Sequence, residues 1–259
     1  MSVICLLQAR MSSTRLPGKV LMDLLGQPMI LHQLKRIKRS NLLDDIIVAT
    51  SSEKTDDDLA GICRSAGFKV YRGSLGDMLD RFTGAIQGRQ CSNIVRLTAD
   101  CPLIDPYVID DVIRCHLDSD NDYTSNTLKP TYPDGLDVEV FKTSALISAR
   151  ENATLPSERE HATPYIYNHP EIFSLRNYEN TTDLSSMRWT VDEPEDFSFV
   201  SEIYSSLYEE NPNFTTSDIL RFLSNRPEVA ALNSFVGRNE GYAKSLVEDQ
   251  EFLLKIRGK

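Results

Sequence analysis

One segment near the start, residues 3–20, constrains the fold and the chemistry of this chain more than any other. Its first part, residues 3–7, is an uninterrupted apolar run, which predicts a buried β-strand. A polar loop follows directly and carries Arg10, Arg15 and Lys19, with a Pro-Gly pair just before the lysine. Ligands in α/β sheets bind beyond the carboxyl ends of the strands, and arginine forks match phosphate oxygens in pairs. The segment therefore predicts an α/β sheet with a phosphate site at its edge.

On charge alone, a solvated basic loop is an equally good interpretation of this segment. Two observations favour a site: the loop follows the first strand directly, and the whole chain is acidic, with 28 basic and 38 acidic residues and a net charge of −10. An acidic chain argues against nucleic acid or an anionic membrane as the main partner, which leaves a small anionic ligand. The loop is not a Walker P-loop, because no G-x-x-x-x-G-K-[ST] occurs.

Length and cysteine content bound the class of protein. A chain of 259 residues suits one large domain, or one domain with an appendage. Its five cysteines are odd in number, scattered, and form no C-x-x-C, which is typical of reduced thiols in a cytoplasmic protein. The N-terminal apolar run is too short for a signal peptide, and no apolar run reaches transmembrane length. We therefore expect a cytoplasmic protein with no membrane partner.

Strand and helix patterns alternate regularly up to about residue 120. Four apolar strand segments are each followed by a helical pattern: residues 3–7, 45–50, 68–71 and 93–98. Such β-α repeats predict a mostly parallel sheet with helices on both faces, which is a three-layer α/β/α, Rossmann-like fold.

Two aspartates stand at the ends of predicted strands. Asp100 follows the strand at 93–98, and Asp192 follows a strand predicted over 187–191. A carboxylate at a strand tip is placed to hold a divalent cation over a phosphate, and tips of parallel strands share one edge of a sheet. The alternative for Asp100 is a turn cap ahead of Pro102. The residues alone leave both interpretations open, and the fold can bring the two carboxylates together at one metal ion.

Three strings of residues carry a resemblance to a known family. Q-A-R-M-S-S-T-R-L-P-G-K-V-L at 8–21 resembles the signature of cytidylyltransferases that activate sugar acids as CMP conjugates, such as the CMP-KDO and acylneuraminate enzymes. P-D-G-L-D-V-E-V at 133–140 is similar to a string in the spore coat polysaccharide branch of that family, and V-D-E-P-E-D-F at 191–197 is similar to a string of the family as a whole. The resemblance covers most of residues 1–200.

The resemblance implies an enzyme of the nucleotidyltransferase class (EC 2.7.7) with a nucleotide-diphospho-sugar transferase-like fold. It implies that CMP passes from CTP to a sugar acid or related polysaccharide precursor, that pyrophosphate is released, and that Mg²⁺ is required. A homodimer is also expected from the family. The identity of the acceptor, the general base and the geometry of the oligomer do not follow from these residues.

The resemblance also implies roles for individual residues. The catalytic set is Arg10, Lys19, Asp100 and Asp192, of which the two aspartates are the expected metal ligands. The expected CTP-binding residues are Leu7, Ala9, Arg10, Arg15, Lys19, Gly73, Ser74 and Asp77. The expected acceptor-binding residues are Tyr132, Asp134, Asp137, Glu139, Arg159 and His161. Without the resemblance, Gly73-Ser74 is an ordinary turn, and His161 on a charged helix is more typical of a structural residue.

The pattern changes after about residue 120, and two alternatives to a cytidylyltransferase stay open. We expect an α/β domain over 1–210, with an acceptor and dimerisation subregion at about 125–185, and a helical extension over 211–259. One alternative is a glycosyltransferase of GT-A-like fold, since D-x-D triplets occur at Asp118, Asp120 and Asp122. The other is a non-catalytic nucleotide-binding protein.

Overall fold

The computed structural model describes residues 2–234 and 240–257. The strands are β1 (Val3–Gln8), β2 (Asp23–Leu24), β3 (Gln27–Pro28), β4 (Asp45–Ser51), β5 (Lys69–Gly73), β6 (Asn93–Thr98), β7 (Tyr123–Ser125), β8 (Glu139–Lys142) and β9 (Leu175–Asn177). The helices are α1 (Met29–Ile37), α2 (Asp57–Ser65), α3 (Met78–Ile86), α4 (Pro106–Ser119), α5 (Thr143–Asn152), α6 (Pro156–His161), α7 (Pro164–Tyr167), α8 (Pro194–Leu207), α9 (Thr216–Asn225), α10 (Pro227–Ala230) and α11 (Glu240–Arg257). Short 3₁₀ turns lie at Lys19–Leu21 and Lys54–Asp56.

Seven strands form one sheet in the order β5-β4-β1-β6-β8-β7-β9. The four strands β5, β4, β1 and β6 are parallel, β8 runs antiparallel to β6 and β7, and β9 is parallel to β7. The predicted mostly parallel sheet is confirmed. In register, Gln8 lies between Ala49 and Thr98, so the chain leaves β1, β4 and β6 at the same edge.

Alternating side chains of β1 pack into two hydrophobic cores, one on each face of the sheet. Val3, Cys5 and Leu7 join the first core, with apolar residues of α1, α4 and α8. Ile4 and Leu6 join the second core, with residues of α3 and α5. Each fully buried aliphatic side chain contributes about 1.5 to 3 kcal/mol, so β1 is held firmly from both sides. The loop that follows β1 therefore starts from a rigid support.

Regular strand structure over 132–141 is shorter than the alternating pattern predicts. It begins only at Glu139, because Gly135 adopts a left-handed φ of 113° and turns the preceding chain. Leu136 and Val138 are buried as the alternation predicts. Glu139 is only 7% exposed, so the acidic face of this strand is covered too.

The prediction of a regular strand over 187–191 is wrong. This segment is extended but makes only a single isolated bridge, between Arg188 and Asp134. It still runs beside the loop after β6, since the backbone N–H of Val191 donates to the carbonyl of Asp100 at 2.8 Å. Asp192 therefore reaches the edge of the sheet without belonging to it.

We expect Gly135→Ala to destabilise this region. A Cβ at Gly135 would lie 2.5 Å from the backbone nitrogen of Thr190, and the residue would keep a φ that disfavours side chains. The free energy of unfolding should fall by about 2 kcal/mol or more, as measured by urea denaturation. Gly61→Ala in α2 is the matched control, because a Cβ there meets no atom within 4 Å. Equal stability of both variants would contradict this assignment.

The C-terminal part of the described chain is helical. Ile219 and Leu223 of α9 pack into the first core. Helix α11 packs on α6, where Asp249 accepts hydrogen bonds from the backbone and hydroxyl of Ser157 at 2.9 and 2.5 Å. Residues 235–239 and 258–259 of the predicted extension lie outside the described residues. Within the ranges described, no helix combines the length and apolarity that crossing a bilayer requires.

Candidate active site

A cleft of about 210 Å³ opens at the carboxyl ends of β1 and β6. The loop after β1 contributes Arg10, Arg15 and Lys19 to its lining, and the loop after β6 contributes Asp100. Asp192, from the extended segment, lines the cleft as well. The fold therefore brings three cations and two carboxylates from three separate stretches of sequence into one cleft.

Lys19 lies between the two carboxylates. Its Nζ is 2.9 Å from Asp100 Oδ2 and 2.7 Å from Asp192 Oδ1, and it donates to the carbonyl of Val191 at 2.8 Å. Gly18 makes this placement possible, since its φ of 75° turns the chain into the short 3₁₀ helix that begins at Lys19. Lys19 is only 7% exposed, so its ammonium group is held by three protein oxygens.

Lys19 and Asp100 each stabilise the charged form of the other. Burial would lower the pKa of Lys19, but Asp100 and Asp192 outweigh that effect and raise the pKa above its ordinary value. Burial would raise the pKa of Asp100, but Lys19 and Thr98 lower it well below its usual range. The lysine is therefore protonated and Asp100 ionised across the neutral pH range.

Asp192 also binds two arginines. Arg15 is 2.9 Å from its Oδ2, and Arg188 is 3.1 Å from the same oxygen. Arg188 is nearly buried and also pairs with Asp134 at 3.1 Å and with Asp196 at 2.9 Å. Sequence reasoning did not identify Arg188 as a site residue, although its position four residues before Asp192 is a usable signal.

Asp196 anchors the segment that presents Asp192. It is fully buried, and Oδ2 accepts hydrogen bonds at 2.9 Å from the backbone N–H groups of Asp192 and Glu193 at the start of α8. Arg188 and Asn233 donate to its oxygens as well. The sequence pattern indicates only a helix cap here, whereas the structure uses this carboxylate to join the extended segment, α8 and the turn near residue 233.

Asp196→Ala is expected to lower the free energy of unfolding by about 3 to 5 kcal/mol, because it removes the fully buried carboxylate that pairs with Arg188 and leaves the backbone N–H groups of Asp192 and Glu193 without their acceptor. Burial would raise the pKa of Asp196, but Arg188 and the backbone N–H groups lower it. Its contribution is therefore complete above pH about 4 and is lost as pH falls through the lower folded value. Thermal unfolding between pH 2 and 7 measures both effects. Asp80→Ala, which breaks an exposed pair with Arg150, should cost under about 1 kcal/mol.

Asp56 anchors the loop after β1 from the other side. It is buried, and its carboxylate accepts hydrogen bonds from the backbone N–H of Met11 at 2.8 Å and from Thr50 and Ser51. The sequence Asp56-Asp57-Asp58 indicates only the start of a helix, since the partners lie on other strands and loops. The anchor fixes where the loop leaves the sheet.

Of the remaining predicted CTP-binding residues, only Ala9 is among the residues that line the described cleft. The side chain of Leu7 is buried in the first core and offers no group to the cleft. Gly73 ends β5, two strands away from β1, and Ser74 is exposed just beyond it. Asp77 caps α3 by accepting a hydrogen bond from the backbone of Asp80. Those three residues lie at the same edge of the sheet but outside the cleft lining.

Helix α6 lies beside the cleft and carries two of the predicted acceptor-binding residues. Three side-chain contacts join it to its neighbours: Arg159 with Asp77 at 2.7 Å, His161 with Ser245 at 2.9 Å, and Glu160 with Arg10 at 3.6 Å. Burial lowers the pKa of His161, and the nearby charge of Arg96 lowers it further. His161 is therefore neutral at pH 7 and suited to hydrogen bonding.

The other predicted acceptor-binding residues are mostly paired within the protein. Glu139 binds Arg96 and accepts a hydrogen bond from the hydroxyl of Tyr123 at 2.6 Å. Tyr132 is 7% exposed and stacks on Tyr178 at a ring distance of 6.2 Å. Asp134 pairs with Arg188, and Asp137 is half-buried two residues before Glu139. None of the four is among the residues that line the described cleft.

The D-x-D triplets lie away from the cleft. Asp120 and Asp122 pair with Lys142 at 3.1 and 3.4 Å, and Asp118 is exposed nearby. Lys142 lies opposite Asn93 at the start of β6, which is the edge of the sheet remote from Asp100. The triplets therefore cannot join the aspartates of the cleft in one metal site.

The cleft offers oxygen ligands for a metal ion. Within residues 2–234 and 240–257, no group of three or more His, Cys, Asp or Glu side chains is arranged to hold one. The donor set is the pair Asp100 and Asp192, which is the number and type of protein ligand that Mg²⁺ usually takes beside phosphate. The residues present therefore fit magnesium bound together with a phosphate ligand.

Comparison with known proteins agrees with this fold. The model of the cytidylyltransferase family matches residues 4–221. The chain belongs to the cytidylyltransferase family and is thus a nucleotidyltransferase.

Individual relatives extend the match over nearly the whole chain. It is 34% identical to the spore coat polysaccharide biosynthesis protein SpsF of Bacillus subtilis, over 88% of this chain and 96% of that protein. A solved cytidylyltransferase from Leptospira borgpetersenii has a TM-score of 0.84 at 33% identity, covering 89% of this chain and 97% of its own. A CMP:2-keto-3-deoxy-manno-octonic acid synthetase complexed with CTP shares the fold, with a TM-score of 0.61 at 18% identity over 80% of this chain and 99% of its own.

Proposed function

We propose that this protein transfers CMP from CTP to a sugar acid or related polysaccharide precursor and releases pyrophosphate, with Mg²⁺ as cofactor. One observation carries the proposal: Lys19 is held between Asp100 and Asp192 in a cleft that Arg10 and Arg15 also line. The relatives' names support it, since one acts in spore coat polysaccharide biosynthesis and another is a CMP–sugar acid synthetase complexed with CTP.

The cations of the loop after β1 bind the phosphates of CTP. Arg10 is 41% exposed at its side chain and Arg15 is 30% exposed, so both can exchange their carboxylate partners for phosphate oxygens. Lys19 is fixed by three oxygens and supplies a charge that does not move. Preorganised charge stabilises a leaving diphosphate without reorganisation at the moment of reaction.

Asp100 and Asp192 would hold the magnesium ion, which when bound supplies positive charge beside the phosphates and orients them. Lys19 holds both carboxylates in place, and Arg188 contacts Asp192 as well. The aspartates therefore act through position and charge.

In the reaction, a hydroxyl oxygen of the acceptor attacks the α-phosphorus of CTP in line with the bond to the β-phosphate. The new O–P bond forms as the bond to the β-phosphate breaks, pyrophosphate leaves, and the hydroxyl proton is released. The protein contributes positioning and charge neutralisation, which can account for a large rate enhancement without a covalent intermediate. The acceptor enters from the side of α6, where Arg159 and His161 lie.

The test is a matrix of nucleotides and acceptors. The protein is incubated with each of the four NTPs, with Mg²⁺ or EDTA, and with 2-keto-3-deoxy-manno-octonic acid, N-acetylneuraminate or sugar phosphates, and pyrophosphate release is followed. We expect release only with CTP, a sugar acid and Mg²⁺ together. Release from another NTP in preference to CTP, or none under any condition, would refute the proposal. The D-x-D alternative predicts turnover of a nucleotide sugar instead.

A further inference from the structure

Gln8, the last residue of β1, lines the cleft. The oxygen of its side-chain amide accepts hydrogen bonds from the protein, and the nitrogen donates none in the described residues. The guanidinium group of Arg96, on the neighbouring strand β6, donates to Gln8 Oε1 twice, from Nε at 3.2 Å and from the terminal nitrogen Nη2 at 3.0 Å. Arginine has donors only, so the carbonyl oxygen of the amide must face it. The amide nitrogen of Gln8 is therefore forced to point away from Arg96.

Arg96 is itself held in place. Its third nitrogen, Nη1, pairs with Glu139 on β8, whose other oxygen accepts from the hydroxyl of Tyr123. The guanidinium group keeps one orientation because strands on both sides of it supply partners. This pairing explains why Glu139, predicted as an acceptor-binding residue, is buried: its carboxylate orients Arg96.

The amide nitrogen of Gln8 is accessible and without a partner in the described part of the chain. It donates no hydrogen bond to the described residues, and it is not buried. Since Gln8 is half-buried and lines the cleft, this nitrogen offers its two N–H groups to the cleft. A donor in that position can bind an oxygen atom of a ligand.

The position of Gln8 indicates which ligand that is. Side chains alternate along a strand, so Gln8 lies on the same face as Ile4 and Leu6, the face covered by α3, α5 and α7. The Lys19 cluster contacts Val191, whose side chain belongs to the core on the opposite face. Helix α6 lies on this side as well, because it packs on α3 and its Glu160 pairs with Arg10. The amide therefore lies on the α6 side of the cleft, away from the group of charges that suits the triphosphate.

The geometry points to Gln8 as a substrate-positioning residue: its amide nitrogen donates to an oxygen of the sugar acid acceptor, and Arg96, fixed by Glu139, sets the orientation of the amide. This inference rests on the proposed function and adds to it a residue that fixes the acceptor rather than the nucleotide. It also assigns Arg96 a positioning role, because Arg96 contacts Gln8 and not the substrate.

Gln8→Glu and Gln8→Met test the inference with the full chain, CTP, Mg²⁺ and the sugar acid from the panel above that the wild type turns over. Glutamate keeps an oxygen for Arg96 and removes the donor, and methionine removes the donor without adding charge. We expect the KM for the sugar acid to rise about tenfold or more in both variants. The KM for CTP should stay within about twofold in Gln8→Met.

Gln87→Glu is the matched control, because this glutamine is exposed beyond the end of α3. It should leave both KM values unchanged. An unchanged KM for the sugar acid in Gln8→Met, with an active wild type, would overturn the Gln8 assignment alone, and so would a rise confined to the KM for CTP. If the wild type releases no pyrophosphate with any acceptor, the proposed function fails first and this inference fails with it.

Discussion

A Lys19→Met protein is expected to lose about a thousandfold in kcat/KM for CTP-dependent pyrophosphate release. Methionine keeps the length and apolar stem of the side chain but removes the charge that lies 2.9 Å from Asp100 and 2.7 Å from Asp192. The two carboxylates would then face each other without the cation that holds them, and the phosphates would lose a fixed positive charge. Steady-state kinetics at saturating Mg²⁺ measures the loss.

Lys69→Met is the control for Lys19→Met. Lys69 also pairs with an aspartate, Asp45 at 2.6 Å, but it stands at the start of β5, on the edge of the sheet remote from the cleft. It should keep turnover within about twofold. A Lys19→Met enzyme with more than a tenth of the wild-type kcat/KM would show that the lysine is only a structural bridge.

An Asp192→Asn protein is expected to bind CTP and fail to turn it over, with kcat reduced about a thousandfold. The substitution preserves shape and removes the negative charge that Lys19, Arg15 and Arg188 share. Those three cations remain available to phosphate, so the Kd for CTP, measured by calorimetry without the acceptor, should change by less than about tenfold. The loss should therefore appear in kcat.

Asp122→Asn provides the comparison for Asp192→Asn. It removes a carboxylate of the D-x-D region that pairs with Lys142 far from the cleft, and turnover should stay at the wild-type level. Near-normal kcat in Asp192→Asn would refute the role given to that residue. Loss of kcat in Asp122→Asn would favour the glycosyltransferase alternative.

The central part of the site could be predicted from sequence because it depends on local patterns. An apolar run followed by a basic loop identifies β1 and Lys19, and a strand followed at once by a carboxylate identifies Asp100. Where such loops meet follows from the parallel sheet, since its strands end at one edge. Asp192 was predicted at this edge for the wrong reason, because the segment before it is extended chain and not a regular strand.

The parts that sequence could not predict depend on partners distant along the chain. The alternation around Glu139 indicates a strand with an acidic face, but nothing local shows that Arg96 covers that face. Asp56 and Asp196 read as helix caps, whereas each also binds groups from other elements. Hydrogen bonds between elements are set by packing of the whole fold, so a periodicity in one segment cannot reveal them.

The most direct test follows the phosphorus atom itself. CTP labelled at the α-phosphate is incubated with the wild type, Mg²⁺ and the panel of sugar acids, and the label is traced by chromatography. The proposed function predicts that label moves onto a sugar acid in step with pyrophosphate release, and that the Lys19→Met protein transfers almost none. Label recovered only as CMP or unreacted CTP, or equal transfer by the two proteins, would contradict it.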